Sequence, residues 1–310
     1  MNRAGRTLAA LGLASLVGCS AGGSATGDSY GKPAASPPAD AAGALAPDEV
    51  QWLFGEVNLH QFPAGSDQWA VFASPPPALA DMQGESITEV DTQATSVEGP
   101  CTVFVLPVCD PGCAPGQYCW SSDTCKPFPV WTPFDAGSFA VTGSQALSVV
   151  RFWFEPSVGA YESDPPAGSN VPLFRGGEAL TLAGGQGDRS ASTEVPAPIP
   201  VVLDAPSPLE PLHFPMSGPL DVRWESAGGD EMDLYLSVAT NNSPGVEVRC
   251  VIGDSGAFTV PADVVARFPR PPRQIRIELQ RTEQRIARAV RRGYGVLFHV
   301  AFSAWLNGAD

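Results

Sequence analysis

Long apolar runs are missing from this 310-residue sequence. A helix that crosses a hydrocarbon core of roughly 30 Å needs about 20 apolar residues in a row, and no segment supplies them, so no helical span is expected. Histidine is scarce: His60, His213 and His299 lie far apart, with no H-E-x-x-H or H-x-H pattern. That spacing argues against a histidine metal cluster, and no metal site is expected. Basic side chains are outnumbered, 18 Lys and Arg against 33 Asp and Glu, for a formal charge of −15. Such a balance excludes non-specific nucleic-acid binding and implies a solvated acidic surface. The glycine-rich pieces Gly176-Gly177 and Gly184-Gly185-Gln186-Gly187 precede no helical pattern. They read as hairpin loops rather than phosphate cradles, and no cofactor is expected.

The first informative presence is at the N-terminus. Arg3 and Arg6 precede an apolar and small-residue stretch, Thr7 to Val17, that ends Leu16-Val17-Gly18-Cys19. A charged start followed by a short apolar run is the pattern of an export signal. The four terminal residues resemble the lipobox of bacterial lipoproteins. That resemblance implies a signal peptide at 1–18, cleavage before Cys19, a diacylglyceryl group on the Cys19 thiol and a further acyl chain, such as palmitate, on its freed amine. Two or three chains, each worth about 0.8 kcal/mol per buried methylene, anchor where one does not. Ser20 follows; by analogy with lipoprotein sorting, a residue other than Asp there favours the outer membrane, the inner membrane being the alternative. The folded part then lies in the periplasm or at the cell surface. Removal of Arg3 and Arg6 leaves a charge of −17.

Residues 19–49 read as a lipidated, disordered tether. Ser, Ala, Gly, Pro and Asp dominate, with Tyr30 and Leu45 almost the only large apolar groups. Such a stretch buries too little surface to offset its chain entropy. As a flexible coil it spans roughly 30 Å root-mean-square. From Val50 onward, short apolar or alternating runs recur at 51–61, 68–73, 101–107, 137–142, 147–155, 178–183, 199–203, 219–225, 232–239, 245–252, 257–260, 274–280 and 294–306. Clusters such as Pro165-Pro166-Ala167-Gly168 and Asn241-Asn242-Ser243-Pro244-Gly245 separate them. Many short strands punctuated in this way predict an all-β protein, one or two immunoglobulin-like β-sandwich units with a small disulfide-rich insertion. The expected division is a β-rich domain over 50–195, containing a Cys-rich module at 109–125, and a sandwich-like domain over 196–310. Trp224 alternates with Val222 and Leu220 and is a candidate core anchor. Pro261 and the five residues after it suit one helical turn. Residues 281–292 admit a short helix by composition, but Ile275, Ile277 and Leu279 alternate just before them and favour a twisted hairpin.

Six cysteines remain besides Cys19, an even number, which in an exported chain reads as three disulfides. Cys109, Cys113, Cys119 and Cys125 form a compact segment that resembles the small Cys-rich loops of EGF-like and Dickkopf-like modules, where C-x-P-G-x-x-C recurs. The likeness concerns local build over about 17 residues and implies no shared function. Four cysteines allow three connectivities; the interleaved one, Cys109–Cys119 with Cys113–Cys125, is the expectation, and it leaves Cys101 and Cys250 to each other. A four-cysteine zinc site is the rival, disfavoured by the oxidising compartment and the uneven spacing.

Three features invite a chemical reading. Gly253-Asp254-Ser255-Gly256-Ala257 resembles the Gly-Asp-Ser-Gly-Gly segment that carries the nucleophile of trypsin-like serine proteases, which would make Ser255 a hydrolase nucleophile. Ala257 departs from that pattern, and none of the three histidines has the expected context. A tight turn built on Asp254 and Gly256 is the favoured reading, with no catalytic residue. Asp230-Glu231-Met232-Asp233 could suggest calcium, but lacks the ligand alternation of an EF-hand loop and reads as a solvated turn. Residues 267–292 hold nine Arg against Glu278 and Glu283, a local charge of +7. They could dock an anionic glycan, or serve as a charged face that guards an edge against aggregation. Trp120, Trp131, Trp153 and Tyr161 are candidate sugar platforms if the sandwich binds glycans.

The segments Phe174-Arg-Gly-Gly-Glu-Ala-Leu-Thr-Leu, Leu220-Asp-Val-Arg-Trp224 and Cys250 to Pro261 resemble lipoproteins of the myxobacterial type. The resemblance covers about half of the mature chain and carries over no activity. The expectation is a non-catalytic binding or structural module of the cell envelope, held to a membrane by its lipid, with an envelope protein or anionic glycan as partner. A Ser255 hydrolase and a glycan-binding sandwich are the alternatives.

Overall fold

The computed structural model describes residues 50–63, 65–74, 94–105, 109, 112–115, 117–121, 124–127, 132–207, 215, 217–229, 231–240, 243–269 and 274–308. Cys19 and the segments 1–18 and 19–49 lie outside them, as do His213, Trp131 and Asn241-Asn242.

The fold is all-β. In chain order the strands are β1 (Trp52–Phe62), β2 (Gly65–Ser74), β3 (Ala94–Glu98), β4 (Cys101–Val105), β5 (Gln117–Ser121), β6 (Thr124–Pro127), β7 (Thr132–Pro133), β8 (Phe139–Thr142), β9 (Val150–Glu155) and β10 (Ala160–Asp164). They continue as β11 (Ala179–Gly184), β12 (Ala191–Pro196), β13 (Leu203–Ala205), β14 (Leu220–Trp224), β15 (Met232–Thr240), β16 (Ser243–Ile252), β17 (Ala257–Val260), β18 (Gln274–Arg288) and β19 (Tyr294–Gly308). The only α-helix among the described residues is one turn, α1 (Ala262–Val265), entered from Pro261. It is far too short to cross a membrane.

Nine strands form one mixed sheet in the order β3-β4-β16-β15-β18-β19-β1-β2-β7. A five-stranded sheet (β10-β9-β8-β11-β12) and a three-stranded one (β13-β14-β17) contribute to the same core. The reason is period-two alternation. Val57 and Leu59 of β1, Leu234 and Leu236 of β15, Ile275, Ile277 and Leu279 of β18, and Phe298 and Val300 of β19 are all buried. They meet Phe139 and Phe152, Leu180 and Leu182, and Val222 and Trp224 from the two smaller sheets in one continuous cluster. The same alternation settles residues 281–288, which are strand: β18 pairs with β19 from Ile275 to Arg288. The large sheet takes strands from both sides of residue 195, and so does the core.

Two local devices let the layers close. Gly55 lies opposite Phe72, and a Cβ at that position would collide with the Phe72 ring. Phe72 therefore reaches across the sandwich to stack on Phe139, with ring centroids 4.8 Å apart. Buried Gln61 accepts the backbone N–H groups of Leu173 and Phe174 at 2.8 and 2.9 Å. Just beyond, Gly176 adopts φ +102°, and Glu178 turns back to accept the Arg175 N–H at 2.7 Å. The Phe174-Arg-Gly-Gly-Glu segment is thus a self-capped turn that docks on β1.

Three disulfides are present. Cys101 joins Cys250 where β4 and β16 pair directly, closing a separation of 149 residues. Cys109–Cys119 and Cys113–Cys125 staple the hairpin β5–β6.

Candidate functional site

The face of the large sheet turned away from the core is polar at its centre, and this is where side chains of chemical interest meet. On β1, Glu56, Asn58 and His60 alternate with the core residues Val57 and Leu59. On β19, His299 and Ser303 alternate with Val300 and Phe302. The strands run parallel with Asn58 opposite His299 and His60 opposite Ala301, so these five groups share a face. Asn58 Nδ2 donates to His299 Nδ1 at 2.6 Å, and His60 Nε2 is hydrogen-bonded to Ser303 Oγ at 2.7 Å. Asp67 of β2 stands opposite His60, and Glu278 of β18 opposite Trp305.

Burial governs the electrostatics here. Desolvation lowers the His60 pKa below the usual imidazole value, against the opposing pull of Glu278 and Asp67. It pushes His299 down to about 4, helped by His60 and Arg249. Burial raises Asp67, with His60 working in the other direction. Both imidazoles are therefore neutral at pH 7, which suits hydrogen bonding to Asn58 and Ser303. Around them Arg276 pairs with Glu278 at 2.6 Å and lies over the Trp305 ring at 5.0 Å, while Phe62 packs on Trp305 at 4.5 Å. Asn58 Oδ1 and Arg276 Nε are buried without a hydrogen-bond partner among the described residues.

A neutral imidazole beside a hydroxyl is the pairing that a nucleophilic serine uses. Ser303, however, has no exposed surface, and its strand lies between β18 and β1. The backbone donors that an oxyanion hole requires are committed to the sheet in such a position. The arrangement suits recognition of a polar group better than attack on one.

The Gly253–Ala257 segment is a turn between β16 and β17, and its central residue is Asp254 rather than Ser255. Asp254 accepts from Trp224 Nε1 at 2.7 Å, Ala227 N at 3.1 Å and Gly229 N at 3.3 Å. Arg281 adds two bonds at 3.1 Å. The Arg281 guanidinium also donates to the carbonyls of Ile199, Pro200 and Glu225. Burial opposes the Asp254 charge, but the bonds from Arg281 and Trp224 prevail and lower its pKa. Gly256 takes φ +87° to close the turn. The Ser255 hydroxyl is exposed and donates to the Ala257 carbonyl at 3.1 Å, whereas His60 and His299 are bonded to Ser303 and Asn58.

The remaining sequence candidates fall as follows. Tyr161 is a brace: its hydroxyl accepts from Ala136 N at 2.8 Å, donates to Gly137 O at 2.9 Å, and burial pushes it up to about 12. Trp153 is half-buried on β9, opposite Glu162; the Trp120 side chain lies outside the described atoms. Asp233, the second residue of β15, pairs with Arg249 at 2.9 Å. The one trio of side chains able to gather a metal among the described residues is Cys109, Cys113 and Cys119, whose sulfurs are held in disulfides. Of the arginine-rich stretch, Arg267, Arg276 and Arg281 pair with Glu98, Glu278 and Asp254, and Arg285, Arg288, Arg291 and Arg292 are exposed near the end of the β18–β19 hairpin; Arg270 and Arg273 lie outside the described residues.

The histidine pair was not expected from the sequence, where 239 positions separate its members. The available signal was the polar alternation within β1 and β19; their parallel adjacency carried none. Comparison with family models, with curated proteins and with solved structures finds no match to this chain.

Proposed function

We propose that the chain is a non-catalytic binding module of the bacterial cell envelope, tethered to the outer membrane by lipid on Cys19, with its ligand on the polar face of the large sheet. The observation that supports binding is the concentration of desolvated polar groups there. Glu56, Asn58, Glu278, Gln280 and Ser303 are buried on a face that the hydrophobic core does not need. Burial of polar groups costs free energy, and a cluster of desolvated titratable groups is a candidate functional site. Asn58 Oδ1 and Arg276 Nε, without a hydrogen-bond partner among the described residues, are the acceptor and donor that a hydroxyl-bearing ligand such as a glycan would satisfy. The lipobox supports the location.

Two measurements test the reading. Intact mass of the protein purified from membranes is expected to show two or three acyl chains on Cys19, lost together with membrane retention in Cys19→Ser. Titration with cell-envelope glycan fragments is expected to perturb the His60 and His299 imidazole resonances. Normal mass at Cys19 removes the anchor, and silence of both imidazoles across envelope fragments removes the face.

A serine hydrolase is the second reading, favoured by the 2.7 Å contact of Ser303 with His60. A fluorophosphonate probe separates the two. The binding-module reading expects no covalent adduct at Ser303 or Ser255, and labelling abolished by His60→Gln would establish the hydrolase instead.

A further inference from the structure

We infer that the end of the β18–β19 hairpin is a membrane-docking surface that seats the folded body on anionic phospholipid headgroups. This rests on the lipid anchor proposed at Cys19. Two independent observations converge on that end of the molecule. The first is composition. Arg285, Arg288, Arg291 and Arg292 are exposed there, and Val290 among them is an aliphatic side chain 72% exposed. Asp188 and Glu283 are acids on this part of the fold among the described residues, and Asp48 and Glu49 precede Val50 in the sequence; the Asp188 carbonyl accepts the Arg291 N–H, and Ser190 O the Val290 N–H at 3.0 Å. The positive excess is local in a chain of formal charge −15.

The second observation is where the chain enters the fold. Gln51 N and Trp52 N both donate to Gly293 O, at 2.9 and 3.0 Å. Trp52 pairs with Tyr294 at the start of two parallel strands, and the Arg291 guanidinium lies 4.2 Å over the Tyr294 ring. Val50, where the described chain begins, therefore stands beside the arginine cluster. Strands β1 and β19 both run away from this end, so an anchor at Cys19 would tether the body by the end that carries the arginines, Val290, Trp52 and Tyr294.

Each element has a physical role at such a surface. Arginines near an anionic leaflet gain from its negative potential. Aromatic rings with a polar edge settle at the headgroup level, and an exposed aliphatic adds apolar area that water does not favour. A lipid chain joined to a basic patch is a two-signal attachment, which fixes orientation as well as proximity.

Co-sedimentation of residues 19–310 carrying Cys19→Ser isolates docking from anchoring. Binding is expected to phosphatidylcholine vesicles containing phosphatidylglycerol, to weaken with salt, and to be absent with phosphatidylcholine alone. Changing Arg285, Arg288, Arg291 and Arg292 to Gln is expected to lower the partition by about fivefold per arginine, with near-ultraviolet circular dichroism unchanged. Val290→Asp is expected to weaken binding, and Val97→Asp, at a site 70% exposed on β3, to leave it unaltered. Absent vesicle binding, binding indifferent to the four arginines, or equal loss from the two Asp variants would overturn the surface. Capture by a sulfated polysaccharide without vesicle binding would overturn it too, in favour of a glycan. Vesicle binding by a chain whose native Cys19 proves unlipidated would retain the surface and discard the anchor.

Discussion

His60 and His299 show how much a single side chain's environment decides. Both are neutral in the fold because burial disfavours the imidazolium form. In the unfolded chain each titrates near its ordinary value of about 6.5. The unfolded state therefore takes up protons that the folded state refuses, and the stabilisation present above that value is lost as pH falls toward the folded pKa, about 4 for His299. Chemical denaturation at intervals between pH 7 and pH 4 is expected to show this loss, at a slope of up to about 1.4 kcal/mol per pH unit for each histidine. His299→Gln should flatten the acid limb relative to wild type; an unchanged slope would remove His299 as a contributor. Gly55 makes the complementary case, a residue defined by what it lacks. Gly55→Ala places a methyl in the space of the Phe72 ring, and overpacking of that kind costs about 1–3 kcal/mol, readable as a lower denaturation midpoint. Pairing it with Phe72→Leu is expected to recover part of the loss.

Among the elements, the turn between β16 and β17 depends on β18. Arg281 and Asp254 form a buried ion pair with side-chain exposures of 8% and 0%. The pair links the large sheet to the turn after β14 and to the carbonyls of Ile199 and Pro200. Removal of one partner from such a pair leaves a buried, uncompensated charge, at about 3–5 kcal/mol. Arg281→Met and Asp254→Ala are each expected to lose that amount in urea denaturation, and the double variant to lose much less than their sum. Additive losses would mean that the two groups act separately. Ser255→Ala, by contrast, removes one exposed bond to Ala257 and is expected to change stability by less than about 0.5 kcal/mol.

The whole molecule is held across long sequence distances. Strands β1 and β2 share a sheet with β15, β16, β18 and β19, and Cys101–Cys250 joins β4 to β16 over 149 positions. Loop-closure entropy makes a crosslink of that length worth up to about 5 kcal/mol. Replacing Cys101 and Cys250 together by Val is expected to lower unfolding free energy by roughly that amount. A small change would mean that β4 and β16 remain paired in the denatured ensemble. Loss of Cys109–Cys119 or Cys113–Cys125, which staple the peripheral hairpin β5–β6, is expected to leave the midpoint of the main transition nearly unmoved.

Most strands were legible because burial of one face imposes period two on the residues that form it. The runs at 219–225, 232–239 and 245–252 coincide closely with β14, β15 and β16. Strands β3, β5, β6, β7, β10 and β12 were not anticipated. Most are short, and β10 and β12 turn polar residues outward at nearly every second position, which leaves little apolar signal. The core role of Trp224 followed from alternation, whereas its bond to Asp254 did not, because the two stand 30 positions apart. The same limit applies to the site. Polar alternation at Glu56, Asn58 and His60 marks a face within one strand, but pairing between strands is set by packing of the opposite face. Local sequence therefore carried the strands and the cysteine inventory. The meeting of His60 with Ser303, of Asp254 with Arg281, and of the chain's entry at Gln51 with Gly293 arose only when one shared core chose which strands lie side by side.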